Sequence, residues 1–120
     1  MTESEAYFIV HLIDGIGPVR AKRLREHFGS LDRAILARGA DLRGVEGIGP
    51  ELVEKLVSWK GAVDPEKERR WAEELGLRIV TQADAEYPAS LREIYDPPLV
   101  LYIKGKIPET WPRGVAVVGS

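Results

Sequence analysis

There is no cysteine in the 120 residues, so disulfides, thiolate metal sites and cysteine nucleophiles are all excluded. Histidine is nearly as scarce. His11 falls within an opening amphipathic helix and His27 near the end of the next long one. No serine or carboxylate positioned for catalysis with either is evident, so no catalytic or metal site is expected. Excess charge of one sign is also lacking: 17 basic residues stand against 19 acidic ones, a net charge of −2. That balance gives no general attraction to nucleic acid or a membrane surface, and any contact with a polyanion has to come from local geometry. No apolar run approaches the roughly 18 residues of a membrane span, and the N-terminus carries Glu3 and Glu5 and no basic residue, unlike a signal segment. A cytoplasmic protein without a membrane partner is expected, with enough chain for one core and the beginning of a second unit.

Glycine, by contrast, is concentrated in a repeat. Ile13-Asp14-Gly15-Ile16-Gly17-Pro18 returns 32 residues later as Val45-Glu46-Gly47-Ile48-Gly49-Pro50, and the register holds from Leu24 to Leu56. Glycine accepts positive φ and lets another backbone come close, and proline suits the first turn of a helix. Each copy therefore predicts a tight hairpin between two helices. Val19, Leu24 and Phe28 recur at helical spacing after the first copy, and Leu52, Val53, Leu56 and Val57 after the second. Thr2 and Glu5 have capping-box spacing for the opening helix. Gly29 ends the helix after the first hairpin, Ser30 caps the next from Leu31 to about Arg38, and Asp41 caps a short turn. About five short helices follow from these signals, with Ile13, Ile16, Leu24, Val45, Ile48 and Leu56 in their core. Over residues 1–60 the doubled motif resembles the paired helix-hairpin-helix module of DNA repair and recombination proteins.

The second half changes character. Asp64-Pro65 opens a helix to about Leu75, with Trp71 and Leu75 spaced to pack on a sheet, and Gly76 stops it. Leu77–Thr81 has strand character. Pro88 starts a short helix that buries Leu91 and Ile94, and Pro97-Pro98 delivers an extended chain into a strand from Leu99. Tyr87-Pro88-x-x-Leu91, then Asp96-Pro97-Pro98, then an apolar strand ending in Lys104-Gly105, and finally Val115-Ala116-Val117-Val118-Gly119-Ser120 are similar in order and spacing to the DprA/Smf family. The resemblance implies a mainly α fold: a doubled helix-hairpin-helix (SAM-like) bundle over residues 1–62, then a small, incomplete α/β segment over 63–120, the start of a Rossmann-like DNA-binding domain. Gly119 and Ser120 would begin its phosphate-binding loop. A final strand in a parallel sheet would leave that sheet incompletely covered, so the chain is expected to be a truncated piece without the main single-strand DNA pocket.

Hairpin amides and the start of the following helix offer unpaired donors to an anion. Behind the first hairpin stand Arg20, Lys22, Arg23 and Arg25, with Asp14 and Glu26 as the nearby acids, whereas Glu46, Glu51, Glu54 and Lys55 accompany the second, where carboxylates would repel phosphate. The candidate DNA contacts are therefore Gly15, Ile16, Gly17, Val19, Arg20 and Arg23, and the second hairpin is expected to be structural. Contacts of this kind hold a backbone and read no base sequence. The family resemblance implies a non-enzymatic, cofactor-free protein that binds single-stranded DNA in natural transformation, helps load RecA and forms a homodimer when whole. Two alternatives stand beside it: a nucleotide-binding or nucleotide-processing Rossmann enzyme, and a helical module serving protein–protein contact alone.

Overall fold

Thr2 Oγ1 accepts a hydrogen bond from Glu5 N at 3.1 Å and starts helix α1, Glu3–Leu12. In the computed structural model, which describes residues 1–105 and the backbone of residues 116–118, five further helical segments complete the first half. They are α2 (Pro18–Phe28), α3 (Leu31–Leu36), α4 (Gly39–Leu42), α5 (Pro50–Val57) and α6 (Trp59–Ala62). The second half comprises α7 (Pro65–Glu74), β1 (Leu77–Thr81), α8 (Ala89–Arg92), β2 (Val100–Lys104) and β3 (Ala116–Val118). The fold is mainly α with one small sheet.

The two glycine motifs form the turns before α2 and α5. Gly15 and Gly47 take φ of +96° and +86°, a region that an L side chain rarely enters. Gly17 and Gly49 are N-cap residues in extended conformation, and Pro18 and Pro50 each open the helix that follows. Ile16 and Ile48 are buried together with Ile13, Leu24, Val45 and Leu56. Each side chain of this size contributes about 1.5–3 kcal/mol when fully removed from water.

Some element boundaries differ from expectation for local reasons. Ala37 and Arg38 turn extended, so α3 stops at Leu36, and Asp41 lies inside α4 instead of capping it. Ser30 is the N-cap residue of α3, but its hydroxyl turns to the Asp32 carboxylate. The amides of Leu31 and Asp32 donate instead to Glu3 Oε2 and Oε1, both at 2.9 Å. A carboxylate reaching over from α1 thus caps α3, where the positive end of the helix favours it.

The strand order is β1-β2-β3 and both pairings are antiparallel, with Leu77 opposite Lys104, Thr81 opposite Val100 and Tyr102 opposite Val118. This corrects the expectation of a parallel last strand. Parallel neighbours need a crossover of a dozen or more residues, usually helical, whereas residues 105–115 alone join β2 to β3. Alternation along β2 divides two cores. Val100 and Tyr102, with Leu77 and Ile79, belong to the core built around α1, while Leu101 and Ile103, with Val80, pack with Tyr87 and Leu91. Val100 to Ile103 are therefore buried on both faces, against the expected incomplete cover. Of the side chains expected to pack on the sheet or to be buried by the short helix, Trp71 meets Tyr102 edge-on at 5.9 Å between ring centroids. Leu91 is half-buried, while Leu75 and Ile94 are exposed. Ala72 is the buried residue of α7. One continuous apolar core runs from Ile16, Leu24 and Leu31 through α1 to Val100 and Tyr102.

Candidate nucleic-acid interface

The first hairpin delivers α2 with no acid in its opening turn, whereas α5 opens with Glu51. Among the described residues the amides of Val19 and Arg20 find no acceptor, the normal condition of a helix N-terminus. Gly17 leaves open space where a side chain would project. Gly15, Gly17, Val19, Arg20 and Arg23 are exposed, and Ile16 is buried as the anchor of the turn.

The charged side chains do not stay with the hairpin they follow in the chain. Arg20 Nε donates to Gly47 O at 3.0 Å and Nη1 to Gly15 O at 3.3 Å, so one guanidinium ties the two turns together. The Arg23 guanidinium occupies the space into which a Cβ of Gly47 would project. Reciprocally, Lys55 Nζ donates to Asp14 O at 3.1 Å, on the first turn. Arg23 and Lys55 are equivalent positions of the 32-residue repeat, and each reaches across to the other copy's turn. The two hairpins therefore present one surface, on which three cations lie beside both positive-φ glycines. Lys55, grouped by sequence with the second hairpin, brings its charge to the first; its register match to Arg23 is the signal that points to it. Arg25 turns away, its Nη1 donating to Tyr7 Oη at 3.0 Å. Gly119 and Ser120 lie outside the described residues.

The second half supports this surface from one side. Tyr87 Oη donates to Pro98 O at 2.7 Å, and Gln82 Nε2 donates to Pro97 O at 2.9 Å and Pro98 O at 3.1 Å. The Tyr87 and Asp96-Pro97-Pro98 motifs are thus two ends of one hydrogen-bonded loop, in which side chains satisfy the carbonyls of Pro97 and Pro98. Burial pushes the Tyr87 phenol up to about 12, opposed by nearby Arg92 and reinforced by Tyr7. A cleft of about 190 Å³ separates this loop from α2.

His11 has partners that local sequence does not show. Its Nε2 lies 3.0 Å from Tyr102 Oη, which donates to Glu68 Oε2 at 2.7 Å. The single phenolic proton is spent on Glu68, so His11 Nε2 is the donor to the tyrosine oxygen. Burial holds the imidazole below its ordinary range, and the attraction of Glu68 works against that; burial also raises the Tyr102 phenol, with the Glu68 hydrogen bond adding to it. The triad joins α1, α7 and β2. Among the described residues no group of three His, Asp or Glu side chains could hold a metal ion, and no helix is long and apolar enough to cross a membrane.

Known proteins resemble both halves of the chain. Residues 12–58 match the SAM-like helix-hairpin-helix tandem, and residues 78–120 match DNA recombination-mediator protein A. Protein Smf of Synechocystis sp. is 34% identical over 126 aligned residues, which take in all of this chain and 32% of that protein. A DNA ligase of Chlamydia trachomatis is 35% identical over 74 residues, 61% of this chain and 11% of the ligase. The chain thus spans about a third of the length of the Smf protein and a smaller share of the ligase. No solved structure gives a significant match. With the hairpin tandem and the Tyr-Pro to Asp-Pro-Pro segment in one chain, and similarity to Smf running along all of it, the chain belongs to the DprA/Smf family of DNA recombination mediators.

Proposed function

We propose that this chain holds the sugar-phosphate backbone of single-stranded DNA on the joined hairpins, as part of a recombination mediator that brings such strands to RecA. The role is one of binding, not catalysis. The observation that carries it is the meeting of Arg20, Arg23 and Lys55 at the Gly15 and Gly47 turns, beside the unpaired amides of Val19 and Arg20. Anions are favoured where free amides, a helix N-terminus and cations coincide. Arg20 also covers the carbonyls of Gly15 and Gly47, which would otherwise face a phosphate with like partial charge. In the whole protein, RecA and a second copy of the protein are the partners implied by the family.

A surface of this size meets two or three phosphates, so the affinity should be low and the salt dependence shallow, about 0.7–0.9 in log affinity per phosphate against log salt. The test is a salt titration of the parent and of Arg20→Ala/Arg23→Ala on single-stranded and duplex oligonucleotides, with melting temperatures followed in parallel. The double replacement should weaken binding to every sequence alike and lower the slope. Unchanged affinity with an intact fold would make the hairpins a scaffold and place DNA contact elsewhere in the whole protein.

A further inference from the structure

The cleft between α2 and the Pro97-Pro98 loop has walls of two kinds. Val19, Tyr95, Pro97 and Leu99 make it apolar, while Lys22 and Arg23 bring positive charge from α2, with Glu26 the acid among its lining residues. Tyr95 is 92% exposed, the largest exposure among the large hydrophobic side chains of the described residues. A tyrosine normally buries its ring and keeps only the hydroxyl wet. This ring stands in water within the loop that Gln82 and Tyr87 pin at the nearby Pro97 and Pro98 carbonyls.

We propose that this cleft is a stacking subsite for one unpaired base of a single-stranded nucleic acid, with Tyr95 as its platform. The proposal rests on the reading that the hairpins hold the backbone, and it adds what makes the site selective for single strands. Continuity supports it. Pro18, Val19 and Arg23 line both this cleft and the shallower depression beside Gly17 and Arg20, so a strand held at the hairpin runs directly into the cleft. Gln82 gives its amide nitrogen to the two proline carbonyls, which leaves Oε1, unpartnered among the described residues, to accept from a base N–H. Every base has a π-face, so stacking on an aromatic is tolerant of sequence. Bases inside a duplex are already stacked and paired, and cannot enter. The cationic rim favours a polyanion over an apolar peptide.

The test measures the affinity of the 120-residue chain, at low salt, for a single-stranded oligonucleotide, an abasic strand of the same length and a duplex. Parent, Tyr95→Ala, Tyr95→Phe and Arg20→Ala/Arg23→Ala are compared. Stacking on one aromatic corresponds to a loss of about 5- to 150-fold when the ring is removed. Tyr95→Ala should show a loss in that range on the single strand only, with abasic and duplex affinities unchanged, and Tyr95→Phe should bind like the parent. Because Tyr95 is so exposed, its replacement should leave the melting temperature unaltered. Equal loss on the abasic strand, or no loss on any strand, would overturn the stacking subsite. If the arginine variant still weakens all three ligands in that case, the backbone reading survives alone; if it does not, both fall. A proline-rich peptide that displaces the oligonucleotide from the parent but not from Tyr95→Ala would assign the cleft to a protein partner, and likewise overturn the proposal.

Discussion

Alanine at Gly15 and alanine at Gly17 should have different consequences, although the two glycines stand in one six-residue motif. Gly15 has φ +96°, where an L side chain costs about 1–2 kcal/mol. Its new Cβ would also lie 3.0 Å from Leu52 Cδ2, a contact that has to relax by a few tenths of an ångström. Gly47 has φ +86°, and its Cβ would displace the Arg23 guanidinium, a flexible end that moves at little cost. Each replacement should therefore destabilise the chain by about 1–2 kcal/mol, which for a chain of this length lowers the melting temperature by roughly 4–10 °C. Gly17 is different: φ is −90°, ψ is −173°, and nothing lies within 4 Å of where its Cβ would be. There the entropy removed from the unfolded chain, about 0.4–1 kcal/mol, offsets the poorer capping by alanine, so the net change should stay within about 0.5 kcal/mol. Yet this methyl would stand at the foot of α2, on the approach to the Val19 and Arg20 amides. Gly17→Ala should thus weaken oligonucleotide binding while melting like the parent. Thermal and urea unfolding, with oligonucleotide titration on the same samples, measure both halves. A Gly15→Ala chain as stable as the parent would refute the positive-φ argument, and undiminished binding by Gly17→Ala would remove phosphate from that approach.

Three further outcomes follow from contacts outside the hairpins. Glu3→Gln weakens the cap on Leu31 and Asp32 and should cost about 1–2 kcal/mol in urea, with faster hydrogen exchange at those two amides; unchanged exchange would mean that water caps α3 equally well. His11 is a base whose folded pKa lies below its ordinary value of 6.5, so the unfolded chain takes up the proton first. Stability is then full above that value and falls as pH drops through it, and His11→Gln should flatten the slope between about pH 7 and about pH 5; an identical slope would refute the assignment. Tyr87→Phe removes the bond to Pro98 O and should cost about 1 kcal/mol near neutrality. The folded phenol is held up to about 12, so the parent should also lose stability as pH rises past the unfolded value of about 10, a loss that should be smaller in the Phe variant, where Tyr102 alone of the two raised phenols remains.

The hairpins were legible in the chain because their determinants are local. Positive φ at Gly15 and Gly47, proline at the first helical position and burial of Ile16 and Ile48 follow from steric and apolar rules acting within a few residues. Repetition at 32 residues then brought the two copies together as one module. The family motifs of the second half were legible as a pattern but not as a mechanism, since only the folded loop joins Tyr87 to Pro98 across 11 residues. Strand direction was misjudged because apolar, β-branched composition is the same in parallel and antiparallel strands, and pairing is decided by the connections. The distribution of charge also belonged to the tertiary structure alone. Arg20 meets Gly47 across 27 residues, Lys55 meets Asp14 across 41, and His11 meets Tyr102 across 91. Long side chains go wherever the fold offers an acceptor, and neighbours in sequence do not reveal where that is. The chain by itself therefore determined that there are two hairpins with free helix starts; only packing them face to face decided that their cations lie on one shared surface.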